Sequence, residues 1–257
     1  MNPPSDAREQ ARAAITAVAA DLLREHGSAA VTTRAVTELA GVQAPTLYRL
    51  FGDKDGLLEA VAEHVLAEHV ASKRGDVAAA AADDTDPVAD LVAGWRRQIE
   101  FGLANPDVFR LLGDPTRAHS SQATATGRGV LAARVHRVAL AGRLRVAESR
   151  AVDLVHAAGV GVVQALLEVP ADRRDPGLVE AMLETLLTGI LTRDLVDNPV
   201  DNPVDSLVDE DAGTPGDVDD PVATAAVTLR AAAADLQALT PGERALLVEW
   251  LGRVTPA

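Results

Sequence analysis

Between Thr32 and Val61 the chain reads TTRAVTELAGVQAPTLYRLFGDKDGLLEAV, and the punctuation of that stretch admits few folds. Thr32 or Thr33 can cap a short helix ending at Gly41, with Val36 and Ala40 one turn apart on its inner face. Pro45 suits the first turn of another short helix running to Phe51, because the N–H it lacks would have no intrahelical partner there. Upstream, Ile15, Val18, Ala19, Leu22 and Leu23 recur at helical spacing before Gly27, which predicts a helix over 6–26. Downstream, Asp53 can cap a longer helix with an apolar stripe of Leu57, Leu58, Val61, Val65 and Leu66, ending near Lys73 to Gly75. A helix of two turns, a tight turn at Gly41 and Val42, and a second short helix form the helix-turn-helix geometry that fits a helix into a DNA major groove.

The side chains in this stretch suit that use. Thr33, Arg34, Tyr48 and Lys54 can donate to phosphates and fix register, while Gln43, Thr46 and Arg49 can reach base edges from the start and outer face of the second helix. Val36, Ala40, Val42, Leu47 and Phe51 supply a small core behind them. The bland alternative, a solvated helical hairpin with chance polar residues, has the same spacing.

Net charge is the first objection to a nucleic-acid partner: 24 Lys and Arg stand against 38 Asp and Glu, giving −14. Its distribution answers the objection. Residues 32–54 carry three bases against two acids, whereas 194–221 hold ten acids and no base, so a locally positive segment can exist within an acidic protein.

The stretch resembles the TetR family of bacterial regulators from about residue 8 to 66. The threonine pair, the A-G-V turn, T-L-Y in the second helix, the aromatic Phe51 and D-K-D-G-L-L occur together and in order. The resemblance implies that Tyr48 and Lys54 bind phosphates, that Thr33 and Arg34 contact the DNA backbone, and that Gln43, Ala44, Pro45, Thr46 and Arg49 face bases. Two positions depart from the pattern: Leu50 stands where histidine is frequent and Thr37 where alanine is usual. For the rest of the chain the resemblance implies only architecture, a helical body that binds small ligands and dimerises through two helices.

Composition supports helices throughout. Hydrophobic residues are 47% of the chain but aromatics 2%, so the apolar mass is Ala, Val and Leu, which suits close-packed helices better than a sheet. The expected fold is all-α: a three-helix N-terminal DNA-binding domain (1–54), a larger effector and dimerisation domain (55–193), an acidic linker (194–221) and a helical hairpin (222–257). In the body, helices are expected at about 86–104, 106–113, 124–142, 149–168 and 176–193, the last two joined by the short PADRRDP connection of antiparallel neighbours. The linker contains VDNPVDNPVDSLVDED, too acidic and proline-rich to build a core. The hairpin opens its second helix with Thr240, Pro241 and Glu243, a capping box, and carries Leu236, Leu239, Leu246, Leu247, Trp250 and Leu251 as an apolar stripe in need of a partner surface.

Within the body, Val92, Trp95, Ile99, Leu103, Phe109, Leu131 and Val135 can line an apolar effector pocket, although plain core packing is the preferred reading of any one of them, and Gln164 can bind an effector or bridge a dimer, with simple solvent exposure as the alternative. A four-helix dimer seam is expected from Val152, Val155, Gly159, Val163, Leu166, Met182, Leu186 and Ile190, with Gly159 and Gly161 justified by close helix approach. No histidine pair has metal-ligand spacing, no nucleophile elbow or phosphate loop is present, and there is no cysteine. Neither catalysis, a metal nor a cofactor is therefore expected. The start shows no export signal and the longest uncharged run, Leu154 to Leu167, is 14 residues, short of the roughly 20 residues a membrane span needs. The expected partners are thus a palindromic DNA operator, a second copy of the chain and a small apolar effector, in the cytoplasm. Two alternatives remain: a ligand-independent DNA binder, and a helical interaction module working through its acidic tail.

Overall fold

The computed structural model describes residues 3–112, 121–192 and 221–254. These residues are overwhelmingly helical, with short 3-10 turns and an isolated antiparallel bridge between Leu144 and Leu191, and the fold is the expected all-α one. The chain divides into two compact units, Met1–Ala78 with Glu100–Val130, and Ala79–Ile99 with Leu131–Ala257.

In the first unit the helices are α1 (Pro3–His26), α2 (Thr33–Ala40), α3 (Ala44–Phe51) and most of α4 (Lys54–Ala82). The end of α5 (Pro87–Ala104), α6 (Pro106–Leu112) and the start of α7 (Gln122–Leu140) complete it. Its core is built from the apolar faces read in the sequence: Ile15, Ala19 and Leu23 of α1, Val36 of α2, Leu47 and Phe51 of α3, and Leu57 and Val61 of α4 are all buried. Val108 of α6 joins the same cluster. The turn after α1 is tied to α6 by the Ser28 amide, which donates to Asp107 Oδ2 at 2.9 Å. Glu63 of α4 accepts from the Ala123 amide at 2.6 Å and from the Ser121 hydroxyl at 2.5 Å, satisfying orphan donors at the start of α7. Beyond Gly75 the helix α4 does not stop as expected but continues to Ala82. A lone glycine costs a helix only about 1 kcal/mol, and the run VAAAAA that follows is strongly helix-forming.

The second unit contains most of α5, the rest of α7, α8 (Glu148–Leu167), α9 (Leu178–Ile190), α10 (Pro221–Ala232) and α11 (Pro241–Val254). By length and composition α8 could cross a membrane. One face of it nevertheless belongs to the core of the unit, with Val152, Val155, Val162, Val163 and Leu166 buried, and the other exposes Asp153, His156 and Gln164. Arg96 of α5 and Glu180 of α9 form a two-pronged ion pair at 3.1 and 2.9 Å. The hydrogen bonds from Arg96 hold the Glu180 carboxyl below the usual carboxylate range. Its contribution is therefore present at neutral pH and is lost as the pH falls through that lowered value, and solvent screening keeps it small.

Of the expected linker, residues 194–220 lie outside the described residues. The hairpin beyond it docks by its first helix: Ala223, Ala226, Val227 and Ala231 of α10 are buried, and Thr228 lies 3.7 Å from where a Cβ on Gly142 would stand. The stripe on α11 does less than its sequence suggests. Leu247 and Leu251 are half-buried, whereas Leu246, Trp250 and Val254 are exposed. The capping box forms as read, the Thr240 amide donating to Glu243 Oε2 at 2.8 Å and the Glu243 amide to the Thr240 hydroxyl at 3.3 Å.

Candidate nucleic-acid interface

The helix pair is set by local chemistry at three points. Thr32, not Thr33, is the N-cap of α2, its hydroxyl accepting from the Ala35 amide at 3.2 Å. Gly41 closes α2 in the left-handed conformation at φ 65°, which a side chain would strain. Gly56 lies in the first turn of α4, where an added Cβ would stand 2.1 Å from the carbonyl oxygen of Phe51. The D-K-D-G sequence thus brings the end of α3 against the start of α4, and Asp53 caps that start by accepting from the Gly56 amide at 2.8 Å.

With this frame fixed, α3 divides cleanly. Leu47, Leu50 and Phe51 are buried, and Gln43, Pro45, Tyr48 and Arg49 are exposed, with Ala44 and Thr46 half-buried between them. Gln43 occupies the N-cap position without spending its side chain on a capping bond. On α2, Arg34 is exposed and Thr33 half-buried; Lys54, the first residue of α4, is exposed. None of Arg34, Arg49 and Lys54 is ion-paired among the described residues, so one surface presents three uncompensated bases and the Tyr48 ring. The two departures from the family pattern are accommodated. Leu50 faces the core at 6% exposure rather than the outside, and the Thr37 hydroxyl bonds back to the Arg34 carbonyl at 3.0 Å within its own helix. Sequence reasoning missed Leu50 as a core residue and Arg12 altogether. The Arg12 guanidinium donates to the Leu50 carbonyl and lies 4.6 Å from the centre of the Phe51 ring.

The other expected sites fall as follows. Trp95, Ile99 and Val135 are buried, and Val92 and Leu131 are half-buried, in the second unit. Leu103 and Phe109 are half-buried and belong to the first unit; Gln164 is exposed. The indole N–H of Trp95 is buried with no hydrogen-bond partner. Of the expected dimer residues, Val152, Val155, Gly159, Val163, Leu166, Leu186 and Ile190 are buried within the chain itself and Met182 is half-buried. Gly159 faces Trp95, whose Cζ3 lies 3.6 Å from where its Cβ would stand. No group of three or more His, Asp or Glu among the described residues could hold a metal ion.

Residues 15–61 match the family model described as bacterial regulatory proteins, tetR family. The tetracycline repressor protein class A from transposon 1721 of Escherichia coli is 51% identical over 51 residues, which are 20% of this chain and 24% of that repressor. The chain thus spans about a quarter of the length of the curated relative it matches. A structure from Shewanella sp. PV-4 named for the tetR family of transcription regulators superposes with a TM-score of 0.50 at 20% identity, covering 71% of this chain and 99% of that one. A protein of unknown function from Rhodococcus sp. RHA1 superposes with a TM-score of 0.55, also at 20% identity, covering 71% and 96%. These structural likenesses speak for the fold alone. Over these residues, which form the helix-turn-helix of its N-terminal unit, the chain is similar to the tetR family of bacterial regulatory proteins.

Proposed function

We propose that the chain is a transcription regulator that binds a palindromic DNA operator as a homodimer and releases it when a small molecule binds the helical body. The observation that carries this reading is the division of α3: an apolar side locked into the core, and an outer side offering Gln43, Pro45, Tyr48 and Arg49 beside Arg34 and Lys54. That side combines groups that read base edges with groups that hold phosphates. In a two-fold dimer the two α3 helices would enter successive major grooves about 34–36 Å apart. Selecting bound duplexes from a random library, at defined salt, tests the reading. Recovery of a palindrome supports it, and retention with no sequence preference overturns it.

Dimerisation is assigned to α8 and α9, but to their outward faces, because the side chains expected to form the seam lie beneath it. Ala157, Gly161 and Ala165 of α8 and Thr185 and Gly189 of α9 are exposed and small enough for close helix approach, and Val160 adds an exposed apolar side chain among them. Gly161 has open space where its Cβ would stand. Gly161→Leu is therefore expected to leave the protomer folded and shift sedimentation toward monomer, whereas Gly159→Leu presses on Trp95 and acts on folding. An unchanged dimer in Gly161→Leu would move the interface elsewhere.

The effector reading rests on the interior around Trp95. An apolar molecule carrying one hydrogen-bond acceptor suits a buried indole donor that has no partner. Binding there would reach the DNA-reading helices through α4. Thermal-shift screening separates this from a ligand-independent DNA binder, since a ligand that binds the folded state alone raises Tm.

A further inference from the structure

The recognition helix α3 is short, eight residues, and its ends are treated unequally. At its start Gln43 provides no side-chain cap. At its end two successive carbonyls are closely approached: that of Phe51 by the first turn of α4 at Gly56, and that of Leu50 by Arg12, whose Nη1 donates to it at 2.5 Å. The Arg12 guanidinium also sits over the Phe51 ring, 4.6 Å from its centre, a cation–π arrangement. The backbone that carries Arg12 is held in place: one turn further along α1, Ile15 is buried in the core, and the Thr16 hydroxyl bonds back to the Arg12 carbonyl at 2.9 Å. A fixed positive charge at a helix C-terminus both satisfies an orphan carbonyl and complements the helix dipole.

We propose that Arg12 is a positioning residue for sequence reading: by holding the C-terminal end of α3 at Leu50 and Phe51, it sets the angle at which Thr46 and Arg49 meet base edges. This rests on the DNA-binding reading above. A phosphate contact through a flexible lysine tolerates a small tilt of α3, whereas a base-edge contact in fixed geometry does not. Loss of the clamp should thus cost specificity before it costs affinity for DNA in general. Arg12 is itself exposed, so its guanidinium could serve a phosphate instead, and that role has a different signature in salt.

The test uses the full-length chain with Arg12→Met, which keeps the apolar stem and removes charge and donors. Affinity is measured across a salt series on the operator duplex selected by the wild type and on a scrambled duplex of equal length. Binding to the operator is expected to fall about tenfold, the scale of one hydrogen bond from a charged donor, with the scrambled duplex and the salt slope unaffected. Equal loss on both duplexes with a slope smaller by about one unit would make Arg12 a phosphate ligand and overturn the proposal. Unchanged operator affinity would overturn it too. If Arg12→Met does not fold, Arg12→Lys keeps the charge and one donor without the planar face; it is expected to show the same selective loss at smaller amplitude, and a loss shared by both duplexes would overturn the proposal. The wild-type measurement comes first, so that a chain with no preferred duplex sinks the DNA-binding reading and not this one.

Discussion

Asp90→Ala is expected to destabilise the second unit by about 3–5 kcal/mol, because it strands a buried positive charge. The Asp90 carboxylate accepts from Arg134 Nε at 3.1 Å and from Arg137 Nη1 at 2.9 Å. The side chains of Arg134 and Asp90 are only 3% and 6% exposed. The Arg134 guanidinium has nowhere to retreat, since it lies against Gly94 so closely that a Cβ there would be 2.7 Å from its Nη1. Arg137 reaches further, donating to the Ala80 carbonyl at 3.2 Å and to the Thr85 carbonyl at 2.7 Å. One aspartate therefore orders the start of α5, the middle of α7 and the C-terminal end of α4. In a thermal melt the loss should lower Tm by on the order of 10 °C. The double change Asp90→Leu with Arg134→Met should recover most of it, since replacing a buried pair with apolar groups is often close to neutral. A single Asp90→Ala variant within about 1 kcal/mol of wild type would mean that the burial of this network does not persist in solution.

That network was invisible in the sequence, and the reason is physical. Helical periodicity marks charged residues as the solvated face, and nothing local distinguishes Arg134 and Asp90, 44 residues apart, from surface charges. Arg12 escaped for the same reason, its partner being 38 residues away. The helix-turn-helix was legible because everything that specifies it is local. Thr32 caps within three residues, Gly41 supplies its own left-handed turn, and the alternation of Leu47 and Phe51 with Gln43, Tyr48 and Arg49 assigns the two sides of α3. Leu50 was the exception, because a helix this short leaves the limits of its buried side to the partners packed on it. The apolar stripe of α8 shows a different limit. Periodicity marks Val152, Val155, Val163 and Leu166 as a face to be covered, but it cannot say whether the cover is the same chain or another. These residues are buried within the chain itself, which is why the proposed seam is placed on the residues between them. Gly75 misled in the opposite direction, as a stop signal overruled by the alanine-rich run that follows it.

Among the exposed residues of the helix pair, Lys54→Ala and Arg49→Ala are expected to fail in distinguishable ways, and the difference tests the division of labour on this surface. Lys54 begins α4, is exposed and has no ion-pair partner among the described residues, so its ammonium suits a phosphate. Removing it should weaken binding to every duplex alike and flatten the dependence of affinity on salt by about one unit of slope, the signature of one released counterion fewer. Tyr48, half exposed on α3, offers a neutral hydroxyl to the same backbone. Tyr48→Phe should therefore also weaken all duplexes, but with the slope intact, because no charge is lost. Arg49 carries charge as well, yet its place on the outer side of α3 suits it to a base edge, where a two-pronged contact discriminates by about 1–3 kcal/mol. Arg49→Ala, like a change at Thr46, should alter which duplex is selected and compress the gap between the best and the scrambled sequence. Selection from a random library followed by salt titration reads both effects in one series of proteins. An unchanged affinity and slope for Lys54→Ala would mean that the start of α4 does not face the phosphate backbone. An Arg49→Ala variant that selects the wild-type palindrome with a slope reduced by one would exchange the two roles, leaving Gln43 and Thr46 to carry the reading of bases.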